Sequence, residues 1–469
     1  MFLNRVNELA DLEARYGSGR AEFVVLWGRR RVGKTSLAWA FCQGKPHVFF
    51  FSERASSDYL LRTFSQALRA AAEPGTTIAP DFSYPDWYTA FRQTRELASG
   101  ERFVVVIDEF PYLAESASGA STALQKAWDL HLSTSRLFLV LTGSTLSVMS
   151  RHVLDASAPL YGRHTWALEL KPLLIYDLPP FLPAYTPTQL VETYAVVGGM
   201  PGYVQQFDDR RPVLDNVARQ IISVSGALFG TARLTVFEEL ADPGLNFKVL
   251  EVIAGGAHKP ADIARLAAIH DRHRLRRILL RLIEVGLVAA RRPLTRDRGR
   301  QRQPGYFVAD PYLRFWFRYV KPHVGLLEMR EGEDLVLEEV RGRWAQLVAL
   351  AWEEVAGIHL WRLSARRQFP FRLEEVGSWF SGRAQLDVVG LNRRERRVVF
   401  GEAKWRRQPA TVQTLERLQE RARAWLGRDP DWEVHYALFA RAFGPALLEL
   451  AAAEGDVHLY TPEDVLAAD

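Results

Sequence analysis

A glycine-rich segment near the N-terminus has the composition of a phosphate-binding loop. It reads Gly28-Arg29-Arg30-Arg31-Val32-Gly33-Lys34-Thr35 and is followed by Ser36. The two glycines let backbone N–H groups turn inward around a phosphate, and a helix that begins at the end of the loop adds its dipole to the same anion site. In such loops the lysine reaches the β- and γ-phosphates and the threonine hydroxyl binds Mg²⁺. We therefore predict that this segment binds ATP together with Mg²⁺.

Two adjacent carboxylates, Asp108 and Glu109, follow an apolar run at residues 103–107. Asp108 would hold Mg²⁺, directly or through water, and Glu109 would take a proton from the attacking water or orient it. A protein that only binds nucleotide has no need of the second carboxylate. The pair therefore predicts hydrolysis.

Two further side chains could take part in hydrolysis. Ser144 follows the apolar run at residues 137–142 and could sense the γ-phosphate or the water, although an ordinary role as a helix cap stays open. Arg163, in the segment Leu160-Tyr161-Gly162-Arg163, could stabilise the negative charge of the transition state in its own site or in a neighbour's. The alternative for Arg163 is a solvated loop residue.

A second group of chemically active residues lies in the last third of the chain. Glu402 and Lys404 lie two residues apart in an apolar run, so in a strand they share one face. Asp387 can approach them if its own strand pairs with theirs. Two carboxylates would then bind a hard cation such as Mg²⁺, with Lys404 orienting water near a scissile phosphate and Glu353 as a further acid. A solvated Glu–Lys pair is the alternative.

Arginine is dense between residues 246 and 322. Three helical segments and two strand-like pieces, at residues 287–291 and 305–308, predict a winged helix-turn-helix. Its third helix, at residues 272–285, would expose a row of arginines, and the loop of the wing adds four more. Duplex phosphates would attract such a surface. The candidate DNA contacts are Arg274, Arg277, Arg281, Arg296, Arg298, Arg300 and Arg302.

The elements that position the first site are those of an α/β domain. Apolar runs at residues 23–27, 47–51, 103–107 and 137–141 lack polar alternation, which favours parallel strands covered on both faces. Helical segments separate them. A helical region follows at residues 187–240, with breaks near residues 242–244 and 328–334.

Composition narrows the class of protein. The 469 residues are 48% hydrophobic and 25% charged, as in a globular protein of several domains, and a net charge of +5 does not by itself indicate nucleic-acid binding. The single cysteine, Cys42, permits no intrachain disulfide. The N-terminus lacks the apolar run of a signal peptide and no apolar segment is long enough to cross a bilayer, so we expect a cytoplasmic protein without membrane contact. The sequence leaves the oligomeric state open.

The order of the motifs resembles that of the archaeal-type ATPases, a family in the STAND branch of P-loop NTPases, related to AAA+ proteins. The matching segments are Phe2-Leu3-Asn4-Arg5…Glu8-Leu9, the phosphate loop, Ile107-Asp108-Glu109-Phe110-Pro111-Tyr112-Leu113, Thr142-Gly143-Ser144 and Leu160-Tyr161-Gly162-Arg163. Gly198-Gly199-Met200-Pro201 resembles the family's lid motif. The resemblance implies that Pro201 packs near the base of the nucleotide and that residues 3–8 line its other side.

The order of elements in the last third is similar to the PD-(D/E)XK nuclease fold, which is commonly fused to archaeal-type ATPases; Leu386 replaces the proline of the motif. The resemblance implies a P-loop core at residues 1–186, a helical lid at 187–242, a winged helix-turn-helix at 243–325 and an α/β restriction-endonuclease-like domain at 335–469. We expect a STAND-type ATP-dependent switch that acts on or near DNA. An ATP-regulated, metal-dependent endonuclease and a signalling scaffold whose winged helix recruits a protein are the alternatives.

Overall fold

The computed structural model describes residues 3–144, 146–240, 242–295, 304–381, 384–427 and 431–467. The chain divides into two compact units, Met1–Pro172 and Leu173–Asp469. The predicted domain boundaries at residues 186, 242 and 325 stay predictions. Arg296, Arg298, Arg300 and Arg302, as well as Phe2 of the N-terminal motif, lie outside the described residues.

The first unit is built on a parallel sheet whose strands lie in the order β2-β3-β4-β1-β5. Every residue of β3 and β4 is buried, because helices cover both faces of the sheet. The four strands predicted from apolar runs are confirmed to within two residues at each end. The strands are β1 (Glu22–Trp27), β2 (His47–Phe51), β3 (Phe103–Asp108), β4 (Leu137–Gly143) and β5 (Trp166–Glu169).

The α-helices of this unit are α1 (Val6–Gly17), α2 (Lys34–Cys42), α3 (Ser57–Ala72), α4 (Trp87–Leu97), α5 (Phe110–Ser116), α6 (Ala120–Ala127) and α7 (Leu146–Met149). The last five pack around one apolar core together with one face of β1 to β4. Because all the strands run the same way, their carboxyl ends meet at one edge of the sheet. The segments that follow β1, β3 and β4 therefore come together there.

The second unit begins with a helical region and a two-stranded ribbon. Its helices are α8 (Pro187–Val197), α9 (Pro201–Val204), α10 (Val213–Val217), α11 (Thr231–Glu239), α12 (Pro243–Ala254), α13 (Pro260–Leu266) and α14 (Arg272–Glu284). Leu275, Leu279 and Leu282 form the buried side of α14. The ribbon pairs β6 (Val288–Arg291) with β7 (Gly305–Val308) in antiparallel fashion. Two short helices follow, α15 (Pro311–Phe315) and α16 (Val324–Glu328).

A five-stranded mixed sheet forms the rest of the second unit, in the order β12-β11-β10-β9-β8. β8, β9 and β10 are antiparallel neighbours, whereas β10, β11 and β12 run parallel. The strands are β8 (Glu375–Ser381), β9 (Ala384–Asn392), β10 (Arg397–Lys404), β11 (Glu433–Ala440) and β12 (Val457–Tyr460). The helices are α17 (Glu333–Ala365), α18 (Val412–Leu426), α19 (Pro445–Ala453) and α20 (Pro462–Leu466). Nowhere in the described part of the chain is a helix both long and apolar enough to span a bilayer.

Candidate functional site

The loop between β1 and α2 has the backbone conformation of an anion-binding nest. Gly28, Arg31 and Gly33 have φ values of 147°, 65° and 98°. A Cβ atom on Gly28 would lie 2.4 Å from the carbonyl oxygen of Leu170, so only glycine fits there. Gly33 caps α2, whose first N–H groups have no partner within the helix. The loop therefore presents backbone donors and the positive end of a helix to an anion.

Lys34 is almost completely buried, with 4% of its side chain exposed. Its ammonium donates hydrogen bonds to the carbonyl oxygens of Gly28 (2.9 Å) and Arg29 (3.2 Å) and so folds back over the loop. A buried cation held against the loop by backbone carbonyl oxygens is an arrangement that fits a polyphosphate. Within the loop Val32 is buried, whereas Arg31 and Ser36 are exposed.

Asp108 is held at the end of β3 by two hydroxyl groups. Thr35 Oγ1 donates to Asp108 Oδ2 at 2.9 Å, and Thr142 Oγ1 donates to Asp108 Oδ1 at 2.5 Å. Burial raises the pKa of Asp108, while the bonds from Thr142 and Thr35 act against the rise. The Thr35 hydroxyl and the Asp108 carboxylate are hard oxygen ligands side by side, so these residues fit Mg²⁺.

Glu109 is fixed by the end of the neighbouring strand. Its backbone has a left-handed conformation (φ 52°), and its N–H donates to Thr142 Oγ1 at 3.1 Å. Glu109 Oε2 accepts hydrogen bonds from the backbone N–H (3.1 Å) and the hydroxyl (2.8 Å) of Ser144. The carboxylate that was predicted to orient water is thus held in place by the residue that was predicted to sense the phosphate.

Arg163 has a different partner. Its guanidinium forms a bidentate ion pair with Asp129, at 3.0 Å from Nε to Oδ1 and 2.9 Å from Nη2 to Oδ2. A role at the phosphates would require this pair to break. Pro201, at the start of α9, is partly buried and belongs to the second unit.

Two residues of the first site were not singled out from the sequence. Thr142 contacts both acidic residues, although only its neighbour Ser144 was chosen from the same Thr-Gly-Ser segment. Arg5 donates to the Val32 carbonyl of the loop at 3.1 Å, and the available signal was its place in the N-terminal motif. Both contacts join segments far apart in the sequence.

Asp387, Glu402 and Lys404 lie close together in the second unit. Asp387 on β9 accepts a hydrogen bond from the Ala403 N–H of β10 at 3.1 Å, and its Oδ2 lies 3.9 Å from Lys404 Nζ. Glu402, 2% exposed, forms ion pairs with Lys404 and with Arg421 of α18, the latter at 2.7 Å. Arg421 could not be singled out from the sequence, because α18 reaches Glu402 only through tertiary packing.

Burial and neighbouring carboxylates raise the pKa values of two carboxyl groups in this cluster. Burial, followed by the charge of Asp387, raises the pKa of Glu353 to about 8, so this carboxyl is largely protonated at pH 7. Burial and Glu402 raise the pKa of Asp387 to about 6. In the described residues no group of three or more His, Cys, Asp and Glu side chains is arranged to hold a metal ion. A cation here would be held by at most two carboxylates, with water and phosphate oxygens as its other ligands, which Mg²⁺ accepts.

The arginine row of α14 is present but partly paired. Arg274 and Arg277 are exposed, whereas Arg281 is half-buried. Arg274 lies 3.1 Å from an Asp242 oxygen, and Arg281 lies 2.7 Å from a Glu284 oxygen. A phosphate at this face would therefore compete with carboxylates for two of the three guanidinium groups.

The ribbon is anchored to the C-terminal sheet. Arg291 of β6 and Arg314 of α15 both donate to Glu354 Oε1 of α17, at 2.7 and 3.0 Å. The Leu294 N–H donates to the Ser378 carbonyl of β8, and Trp425 Nε1 of α18 donates to the Leu294 carbonyl. The segment that follows β6 is therefore hydrogen-bonded to the C-terminal sheet and to α18.

Comparison with known proteins identifies the domain that holds the first site. Residues 2–207 match the family described as an ATPase domain predominantly from Archaea. This segment is an archaeal-type P-loop ATPase domain. Residues 316–418 match a second family, described as archaeal and bacterial proteins of unknown function.

One relative matches nearly the whole chain, and others match parts of it. An uncharacterized protein of Methanocaldococcus jannaschii is 28% identical over 465 residues, which is 99% of this chain and 100% of the relative. An uncharacterized ATP-binding protein of the same organism is 47% identical over 45 residues, 10% of this chain and 76% of the relative. Among solved structures, a Walker-type ATPase of Pyrococcus abyssi is 20% identical, with 68% of this chain and 96% of that chain covered and a TM-score of 0.49.

Proposed function

We propose that this ATPase is a STAND-type molecular switch, in which the nucleotide bound to the first unit controls a second unit that acts on or near duplex DNA. The observation that carries the proposal is the set of hydrolytic groups at one sheet edge: Lys34 in the loop, Thr35 with Asp108, and Glu109 with Ser144. A protein that only stores nucleotide does not require the last pair.

Each group has a defined role in hydrolysis. The loop amides and Lys34 bind the β- and γ-phosphates and oppose the charge that spreads over the γ-phosphate oxygens in the transition state. Mg²⁺ bound by Thr35 and Asp108 would supply further neutralising charge. Glu109, oriented by Ser144, accepts a hydrogen bond from the attacking water and directs it.

Hydrolysis is tested with Lys34→Ala and Glu109→Gln. Lys126→Ala and Glu101→Gln are matched controls, because both wild-type side chains are exposed on the same unit. We expect Lys34→Ala to lose binding and hydrolysis, and Glu109→Gln to bind ATP while its kcat falls about 100-fold or more, the range for a lost general base. Equal turnover in wild type and both site variants would reject the assignment.

DNA is the proposed target because arginines cluster on α14. Arg277 is exposed, and Arg274 is exposed beside its ion-pair partner Asp242. Binding of a fluorescent duplex should weaken steeply with salt and fall in Arg277→Ala, while Arg20→Ala, an exposed arginine of the first unit, should bind as wild type does. If no duplex is bound even at low salt, a scaffold that recruits a protein becomes the better explanation of the arginine-rich helix.

A metal-dependent endonuclease is the second candidate function, favoured by the convergence of Asp387, Glu402 and Lys404. In that reaction Lys404 would orient water toward the scissile phosphate. Plasmid is incubated with Mg²⁺ or Mn²⁺, with and without ATP, using Asp387→Asn and the exposed control Asp431→Asn. Cleavage by wild type and the control but not by Asp387→Asn supports the candidate. An intact plasmid under every condition would leave the cluster a binding or structural role.

A further inference from the structure

Arg5 belongs to the N-terminal motif at residues 2–9, and none of the proposed steps of ATP hydrolysis uses this residue. Only 8% of its side chain is exposed, and its backbone has a φ of 64° at the cap of α1. A non-glycine residue in this left-handed region is uncommon and persists where its surroundings hold it. Here the conformation accompanies a guanidinium that is buried among acceptors.

Three acceptors surround the guanidinium. Nη2 donates to the carbonyl oxygens of Val32 (3.1 Å) and Lys171 (2.6 Å), and Nη1 donates to Glu8 Oε1 (2.8 Å). The planar fork of arginine can reach two carbonyls and a carboxylate at once, which the single ammonium of lysine cannot do with the same geometry. The ion pair with Glu8 keeps the guanidinium oriented.

The contact with Val32 determines the direction of a backbone donor. The Val32 carbonyl and the Gly33 N–H belong to one planar trans peptide, in which C=O and N–H point in opposite directions. None of the peptide bonds between described residues is cis. Because Arg5 holds the carbonyl, the Gly33 N–H must point away from Arg5.

The backbone that accepts from Arg5 is tied to the parallel sheet. Lys171 follows β5, which pairs with β1 in the sheet. At the other end of the phosphate loop, Gly28 packs against the adjacent Leu170, whose N–H donates to the Trp27 carbonyl at 2.7 Å. Residues 170–171 thus hold the loop at both ends, directly at Gly28 and through Arg5 at Val32.

We propose that Arg5 is a positioning residue of the phosphate site, which fixes the peptide between Val32 and Gly33 so that the Gly33 N–H is directed at the β-phosphate of the bound nucleotide. The inference rests on the proposed binding of ATP at this loop. The Arg5 and Glu8 pair thereby gains a chemical role, since Glu8 orients the guanidinium and the guanidinium orients the amide.

The test compares ADP with AMP, since only ADP carries the β-phosphate. Dissociation constants of both are measured on the full chain, with Mg²⁺, by competition with a fluorescent ADP. In Arg5→Lys and Arg5→Ala the ratio of the AMP constant to the ADP constant should fall about tenfold, as expected for one weakened hydrogen bond to a charged group. Arg20→Lys, at an exposed site, should leave the ratio unchanged.

A merely structural role would lower the affinity for both nucleotides together, or lower the melting temperature alone. An unchanged ratio in a folded Arg5 variant therefore overturns the proposal. If both Arg5 variants fail to fold, the Glu8→Gln variant is measured instead, because it keeps the guanidinium but weakens the contact that orients it. A fall of about threefold in the ratio of the AMP constant to the ADP constant supports the role, and an unchanged ratio overturns it. Wild-type protein that binds neither ATP nor ADP would instead overturn the proposed function itself.

Discussion

Replacement of Thr142 by valine tests whether one buried hydroxyl organises both acidic residues of the ATPase site. Thr142 is 0% exposed; its Oγ1 donates to Asp108 and accepts from the Glu109 N–H. Valine has nearly the same shape and can form neither bond. Loss of a hydrogen bond to a charged group costs about 1.5–3 kcal/mol, and a buried N–H without a partner costs about 1–3 kcal/mol. Better burial of the added methyl offsets about 1 kcal/mol, so the net loss is about 1.5–5 kcal/mol.

The assay is urea unfolding of the full chain, followed by the fluorescence of its tryptophans, together with ATP turnover. Thr142→Ser is the matched control, because it keeps the hydroxyl and loses one buried methyl, a loss of about 1 kcal/mol. We expect the valine variant to be less stable than the serine variant and to hydrolyse ATP at least about tenfold more slowly, as Asp108 and Glu109 lose their shared partner. A valine variant as stable and as active as the serine variant would refute this reasoning.

Three further predictions concern single contacts. Ser144→Ala removes the hydroxyl that donates to Glu109 at 2.8 Å but keeps the backbone donor. We therefore expect kcat to fall about tenfold while the affinity for ATP changes little. An unchanged kcat would contradict this. Glu354→Gln removes the carboxylate that pairs with Arg291 and Arg314. Because 21% of the Glu354 side chain is exposed, we expect the free energy of unfolding in urea to fall by about 2–3 kcal/mol, which is less than for a fully buried pair. The control Glu338→Gln, at an exposed ion pair, should change it very little. Burial, then the charge of Arg362, lowers the pKa of His359 from 6.5 to about 4. Between these values the unfolded chain binds a proton that the folded chain does not. The free energy of unfolding is therefore highest above pH 6.5 and falls as the pH is lowered toward 4. The fall should amount to about 3 kcal/mol when unfolding is measured across this pH range, and it should be absent from the His359→Gln variant. Equal pH dependence in the two proteins would contradict this.

Local patterns carried most of what could be predicted. The uninterrupted apolar runs indicated parallel strands, and the glycine and lysine spacing indicated the loop, because both depend on neighbours within a few residues. The meeting of Asp387 with β10 was also predictable, since strand pairing and the period of two fix which side chains share a face.

Contacts between distant segments were the part that could not be predicted. Arg163 was a candidate for the phosphates or for a solvated loop residue, and its ion-pair partner Asp129 lies 34 residues earlier in the sequence. Arg5 reaches Lys171 and Arg421 reaches Glu402 only because the folded sheets bring those segments together. Nothing in the spacing of these residues distinguishes them from solvated arginines, which is the commoner fate of such side chains.

The most direct test of the account is calorimetric titration of the full chain with Mg²⁺ and ATP, beside the Lys34→Ala variant. The loop amides and the Lys34 ammonium are proposed to hold the β- and γ-phosphates, so wild type should bind ATP saturably and the variant should bind at least about tenfold more weakly. Absence of binding by folded wild-type protein, or equal affinity in the variant, would contradict the central claim.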